Sequence, residues 1–263
     1  MLELYHNAMS TCSQKVRLTL AEKGQVWTGH HLNLRARDQH RPDYLALNPN
    51  GVVPTLVHDG RVVIESAVID EYLDQVFAAP PLRPTDAYGR ARMRLWVKQL
   101  DEGLHAASAT ISACIAFRSQ FTAGKTAAEI EQTLAGYVDP VKRARMRENV
   151  LEGVASSHFV PAIQRIRRML DEMERELAQG PWLAGADYTL ADIAFTPYVT
   201  RIHHLNQDWL LDARPHVAGW FERVRARPAY KSAMEDLFDS DFISLMAEKG
   251  ARERHAVRRT LDA

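Results

Sequence analysis

Three prolines in five residues, Pro80-Pro81-Leu82-Arg83-Pro84, interrupt this chain and constrain it more than any other feature. Consecutive prolines cannot continue a helix, because each lacks an N–H and fixes its own φ. The two sides of this break differ in character. Before it, short apolar runs alternate with turn signals and helical stripes, as strands and helices sharing one small domain do. After it there is almost no strand signal. Residues Tyr88 to about Arg118, Val160 to Gln179, Leu190 to about His204, Pro215 to Arg225 and Ser232 onward read as helices. The expectation is an α/β domain over 1–80, a linker over 81–88 and an all-α domain over 89–263, and 263 residues suffice for two cores. Residues 119–157 form a long insert between two helices. It carries a patterned piece from Ala127 to Leu134 and a charged piece from Lys142 to Leu151, so it reads as either a helical insertion or a mobile lid. Thr189-Leu190-Ala191-Asp192 is a capping signal opening the apolar Ile193-Ala194-Phe195, which predicts a buried helix with a structural cap.

Within the first domain, Leu2-Glu3-Leu4-Tyr5 alternates as a strand, and Val16 and Leu20 continue as a helical stripe ending near Lys23-Gly24. The small polar residues Ser10-Thr11-Cys12-Ser13 therefore lie at a strand-to-helix turn. The positive end of the helix dipole and unpaired N–H groups meet at such a turn, which suits an anion or a thiolate. Val26 to Leu34 alternates weakly as a second strand, followed by a polar loop from Arg35 to Asp43. Asn48-Pro49-Asn50-Gly51 is a turn, and Val52 to Val57 is an apolar run whose Pro54 belongs among a strand's first residues, with a cis Val53–Pro54 bond one way to fit it there. His58-Asp59-Gly60-Arg61 turns the chain into Val62-Val63-Ile64, an antiparallel hairpin. Ile69, Tyr72, Leu73 and Val76 then mark a one-faced helix expected to start at a Ser66 cap.

Composition narrows the function classes. Lys plus Arg (33) equal Asp plus Glu (33), so no global basic field exists to hold nucleic acid or an anionic membrane. Only Cys12 and Cys114 are present, too few for a disulfide framework or a zinc site, and a reducing, cytoplasmic setting is expected. Cys12, inside the helix start, is expected to be buried, or else to form a mixed disulfide. No stretch approaches the ~20 apolar residues of a membrane span. The basic tail (Lys249, Arg252, Arg254, Arg258, Arg259) reads as a solvated face.

Three stretches together resemble the glutathione S-transferase superfamily, over nearly the whole chain. Ser10-Thr11-Cys12-Ser13-Gln14-Lys15-Val16-Arg17 is similar to its active-site turn, Asn48-Pro49-Asn50-Gly51-Val52-Val53-Pro54 to its Asn-Pro-x-Gly-x-Val-Pro signature, and Glu65-Ser66 to its γ-glutamyl pair. Thr189 and Asp192 match its buried capping motif. Within the superfamily, Asp38-Gln39-His40, the long insert and Leu95-Trp96-Val97-Lys98 resemble the bacterial β-etherases that cleave lignin-derived aryl ethers with glutathione.

The resemblance implies a thioredoxin-like N-terminal domain followed by an all-helical domain, a homodimer, and glutathione as co-substrate with no metal. Glutathione has two carboxylates, one ammonium and one thiol. Glu65 is expected to take the ammonium, Ser66 and the following N–H groups the γ-glutamyl carboxylate, the Val53 backbone the cysteinyl amide, and Gln39 and His40 the glycine end. Ser10 is expected beside the thiolate, with Ser13 as the alternate. A helix N-terminus can bring a thiol pKa down to ~3.5–7.5, which supplies a nucleophile at neutral pH. The stripe Trp96, Leu100, Leu104, Ile111 and Ile115 is mainly core by spacing, and some of it is expected to line an acceptor pocket for a small hydrophobic aromatic. Other readings are a general detoxifying transferase and a non-catalytic carrier of hydrophobic ligands. A disulfide reductase fits least, because Ser10 and Ser13 stand where a Cys-x-x-Cys pair would be.

Overall fold

The computed structural model describes residues 1–137 and 139–262. The chain opens with β1 (Leu2–His6), α1 (Thr11–Glu22) and β2 (Thr28–His31). A single 3-10 turn (Asp38–His40) leads to α2 (Pro42–Leu47), followed by β3 (Thr55–His58), β4 (Arg61–Ile64) and α3 (Ser66–Val76). The sheet order is β2-β1-β3-β4, with β1 parallel to β2 and antiparallel to β3, and β3 antiparallel to β4. Leu2, Leu4 and Leu56 on the sheet, Val16 and Leu20 on α1, and Ile69 and Leu73 on α3 form one buried cluster. Each such side chain contributes about 1.5–3 kcal/mol by leaving water, which is why the stripes read from periodicity become the domain's core.

The expected second strand shrinks to four residues, and part of the expected polar loop is helical. Pro42 supplies the fixed φ that suits a first helical position, and the six residues of α2 bury only Tyr44, too short and too polar a segment to show a period. Pro54 sits just ahead of β3, and the Val53–Pro54 and Ala79–Pro80 bonds are both cis.

The remaining helices are α4 (Ala87–Gln99), α5 (His105–Ser112), α6 (Arg118–Thr122), α7 (Ala127–Leu134), α8 (Pro140–Glu152), α9 (Phe159–Leu177), α10 (Leu190–His204), α11 (Pro215–Arg225), α12 (Pro228–Ala233) and α13 (Ser240–Asp262). The single helix expected from Tyr88 to Arg118 is divided. The chain widens into π-type turns at Leu100–Leu104 and Ala113–Phe117, and Gly103 leaves helical geometry at φ 100°. Only a glycine adopts that angle without strain. The helix expected from Ser232 onward likewise separates into α12, a 3-10 turn and α13.

Residues Met1–Val97, Glu176–Pro197 and Gly219–Asp239 form one compact unit, and Lys98–Arg175, Tyr198–Ala218 and the chain from Ser240 onward form a second. In the first unit the proline-rich segment is tied down. Lys23 Nζ donates to Asp74 Oδ1 at 2.5 Å and to the Pro80 carbonyl, and Asp74 Oδ1 also accepts the Leu82 N–H at 2.8 Å. Arg83 Nε comes within 3.2 Å of Asp74 Oδ2 as an ion contact without hydrogen-bond alignment. Asp192 is buried at the start of α10, where it accepts from the Leu183 and Thr189 N–H groups, both at 3.0 Å, and from Trp220 Nε1 at 2.9 Å. The expected buried helix and structural cap are both present.

In the second unit the insert is helical. Thr126 and Glu129 cap α7 reciprocally, Asp139 caps α8, and Ile130, Leu134 and Val150 form a small core with Phe121, Tyr137 and Met146 packed against it.

Candidate functional site

Strand register decides where the motifs lie. Tyr5 pairs with Thr55, and Thr55 pairs with Ile64. The turn that follows β1, the Val53–Pro54 bend that precedes β3 and the Glu65-Ser66 pair that follows β4 therefore all emerge at the same end of the strands. Residues far apart in sequence are brought together by three strand ends.

At the first of these ends, Ser10 is the N-cap of α1, with extended φ −72° and ψ 120°, and its Oγ accepts the Ser13 N–H at 3.3 Å. The turn before it is ordered by Asn7. Its Oδ1 accepts the Met9 N–H at 3.0 Å, its Nδ2 donates to the Leu32 carbonyl at 2.9 Å, and its carbonyl accepts the Ser10 N–H at 3.3 Å. Ser10 is half-buried. Ser13 differs. It is 0% exposed, and its Oγ accepts the Asn7 N–H at 3.3 Å. That bond ties the start of α1 to the segment that follows β1. Cys12, expected to be buried, is half-exposed in the first turn of α1.

At the second end, Asn48 is buried and its Nδ2 donates to the Val52 carbonyl at 2.9 Å, while Tyr44 Oη donates to the same carbonyl at 2.5 Å. These bonds fix the chain just ahead of Val53. Neither the N–H nor the carbonyl of Val53 is bonded to another backbone group among the described residues, so its main chain is available for an added strand. Gly51 has φ +60°, and a Cβ there would stand 2.8 Å from His40 Nδ1. The glycine thus lets the 3-10 turn carrying Gln39 and His40 lie directly on the proline loop. His40 is exposed; Gln39 is half-buried, its Nε2 donating to the Leu34 carbonyl at 3.4 Å and its buried Oε1 lacking a partner.

At the third end, Glu65 has φ 68° and ψ 111°, an uncommon conformation for a residue with a side chain. Such backbone strain, of order 1–3 kcal/mol, persists where surrounding structure over-determines it, and it clusters at ligand sites. Here it turns the Glu65 carboxylate outward, where Asn50 Nδ2 donates to it at 3.3 Å. Ser66 was expected to be the cap; it is instead the first residue of α3, and Glu65 occupies the cap position without a side-chain bond. The physical reason is that the sharp reversal after β4 falls on Glu65, so helical geometry begins at Ser66, one residue earlier than a Ser66 cap would allow. The first intrahelical bond runs from the Ile69 N–H to the Glu65 carbonyl at 2.8 Å, leaving the N–H groups of the preceding turn directed at the site.

Sequence reasoning missed Asn7 and Asn50, whose short amides read only as turn formers. The stripe expected to line an acceptor pocket is buried throughout. Trp96, Leu100, Leu104, Ile111 and Ile115 are none of them more than 8% exposed, and Trp96 packs edge-on against Phe195 at 5.3 Å. An apolar stripe at helical spacing gains most by full burial. Among the described residues no group of three or more His, Cys, Asp or Glu is arranged to hold a metal ion, and no helix is long and apolar enough to cross a membrane.

Residues 9–76 match the family model of the glutathione S-transferase N-terminal domain, and residues 94–223 match that of the C-terminal domain. Protein LigF of Sphingobium sp. strain SYK-6 is 30% identical over 257 residues, which cover 95% of this chain and 99% of that protein. The tetrachloro-p-hydroquinone reductive dehalogenase of Sphingobium chlorophenolicum is 28% identical over 88% of this chain and 95% of its own length. The crystal structure of beta-etherase LigF from Sphingobium sp. strain SYK-6 superposes with a TM-score of 0.78 at 28% identity, covering 89% of this chain and 99% of that one. This chain, a four-stranded N-terminal domain joined to a helical C-terminal region, belongs to the glutathione S-transferase family.

Proposed function

We propose that this protein ionises the thiol of glutathione at the Ser10 turn and uses the thiolate to cleave β-aryl ethers whose neighbouring carbon is a ketone. The observation that carries the reading is that the segments bearing Ser10, Val53 and Glu65-Ser66 leave β1, β3 and β4 at the same end of the sheet. Glu65 takes the γ-glutamyl ammonium, while Ser66 and the N–H groups of the first α3 turn take its carboxylate. The unpaired Val53 backbone bonds the cysteinyl amide, and Gln39, with its unsatisfied Oε1, and His40 meet the glycine end. The Ser10 hydroxyl donates to the sulfur. In this reading residues 1–80 are the glutathione-binding domain, 81–88 the linker, and 89–263 the domain that shapes the acceptor site.

The thiolate attacks the ether-bearing carbon as an S–C bond forms and the C–O bond breaks. The electron pair leaves with the aryl oxygen as a phenolate, which then takes a proton from solvent. A carbonyl beside the attacked carbon lowers the barrier, and phenolate, with a conjugate-acid pKa of ~10, is a tolerable leaving group. Holding the thiolate in line behind the C–O bond supplies the rest. Similarity to a protein described as a beta-etherase supports this acceptor class. Similarity to a reductive dehalogenase of a chlorinated hydroquinone supports a second reading, a general transferase for aromatic electrophiles.

Supplying glutathione and the keto ether should release phenol one-for-one with the glutathione thioether, and the corresponding alcohol should react far more slowly. An intact keto ether alongside conjugated chlorinated or unsaturated aromatics would favour the general transferase.

A further inference from the structure

Behind the active-site turn lies Arg17, on α1 and 1% exposed. Its guanidinium is spread over carbonyls. Nη1 donates to the Asn7 carbonyl at 3.1 Å, Nη2 to the Ala8 carbonyl at 2.9 Å, and Nε to the carbonyl of Ala233, the last residue of α12, at 2.8 Å. Nη1 also lies 3.3 Å from His6 Nδ1 on β1. Buried arginines are ordinarily paired with a carboxylate, yet no carboxylate lies within ion-pair reach of this one among the described residues.

The other charged groups nearby do not cancel it. His6 is held neutral, its pKa pushed down to about 3 by burial first and then by Arg17, His31 and His30. From α3, Asp70 faces Lys15 and Cys12. Burial lowers the Arg17 pKa to about 10, which leaves it charged at neutral pH. A net positive charge is therefore enclosed directly behind the turn that carries Ser10.

We infer that Arg17 is a positioning residue for the thiolate: it grips the Asn7 and Ala8 carbonyls from within, which fixes the turn with Ser10 outward, and it supplies positive potential to the sulfur held there. This inference rests on the placement of glutathione at Ser10. Asn7 O shows the coupling, since it accepts both from Arg17 and from the Ser10 N–H.

The test compares Arg17→Gln, which removes the charge, with Arg17→Lys, which keeps it. Calorimetry first establishes glutathione binding by the unaltered protein; no binding there overturns the proposed function itself. The thiolate absorbance of bound glutathione is then titrated against pH. Arg17→Gln should raise the thiol pKa by about one unit or more, a roughly tenfold loss of thiolate below the pKa, with kcat falling and the glutathione KM nearly unchanged. Arg17→Lys should stay within about half a unit of the unaltered protein. A folded Arg17→Gln with unchanged thiol pKa overturns the inference. If Arg17→Gln does not fold, Arg17→Lys decides: a rise of about a full unit with the charge retained overturns it equally.

Discussion

Two serines three residues apart in one turn have different environments. Ser10 caps α1 and is half-buried, whereas Ser13 is fully buried with its hydroxyl bonded to the Asn7 N–H. Ser10→Ala should therefore raise the bound thiol pKa by ~1–2 units, while Ser13→Ala should leave it in place and lower folding stability by ~1 kcal/mol. Thiolate absorbance and denaturant midpoints on the two variants check this; a thiol shift confined to Ser13→Ala would reverse the assignment. Sequence position alone favoured Ser10 without excluding Ser13, because enclosure of the second hydroxyl depends on how the segment after β1 folds back over the helix. Asp70 carries a different message. It is wholly buried, bonded to Thr19 Oγ1 at 2.7 Å, and pushed up to about 7 chiefly by burial, with Lys15 and Thr19 opposing. The native carboxyl thus holds its proton more tightly than an unfolded Asp near pKa ~3.9. Between these values the native state binds more protons, so this contribution is fully present below pH ~4 and lost as pH rises through about 7. Asp70→Asn should reduce the fall in stability between pH 5 and pH 8 by an amount on the order of a few kcal/mol. Urea midpoints at both pH values test it, and an identical fall in the two proteins would contradict it.

Helices, strands and their joints were legible to different degrees, for physical reasons. α1, the β3–β4 hairpin and α3 each combine a period with a turn signal, and α7 occupies the residues its pattern predicted. α2 escaped because six residues with one buried side chain carry no period. The break after α4 escaped because Gly103 lies within an otherwise helical pattern, where a glycine is tolerated, and its positive φ is set by tertiary structure. The proline-rich segment shows the same limit. Its prolines announced a stop, but not the anchor formed by Lys23, Asp74 and the Pro80 and Leu82 backbones. Both charged side chains are enclosed. Lys23→Met should therefore leave the Asp74 carboxylate buried without its ammonium and destabilise the fold by about 3–5 kcal/mol. A denaturant midpoint measured on that variant is the check, and a change below about 1 kcal/mol would show that the anchor contributes little.

On the scale of the whole molecule, the motifs that suggested a glutathione site were readable one at a time, but their meeting was not. It depends on the pairing of Tyr5 with Thr55 and of Thr55 with Ile64, and register is a property of the folded sheet. α3 and α4 leave Val68, Val76 and Leu95 exposed, which supports a homodimer joined through these helices. Sedimentation at micromolar concentration should give a dimer, and Leu95→Glu should shift it toward monomer; a monomer for the unaltered protein would contradict this assembly. In the proposed complex, glutathione is held by its γ-glutamyl end at the strained Glu65 and the start of α3. Calorimetric titration of glutathione into the unaltered protein and into Glu65→Ala should show binding weakened by ~1.5–3 kcal/mol in the variant, the loss of a charge-assisted hydrogen bond; equal affinities in the two proteins would rule this binding mode out.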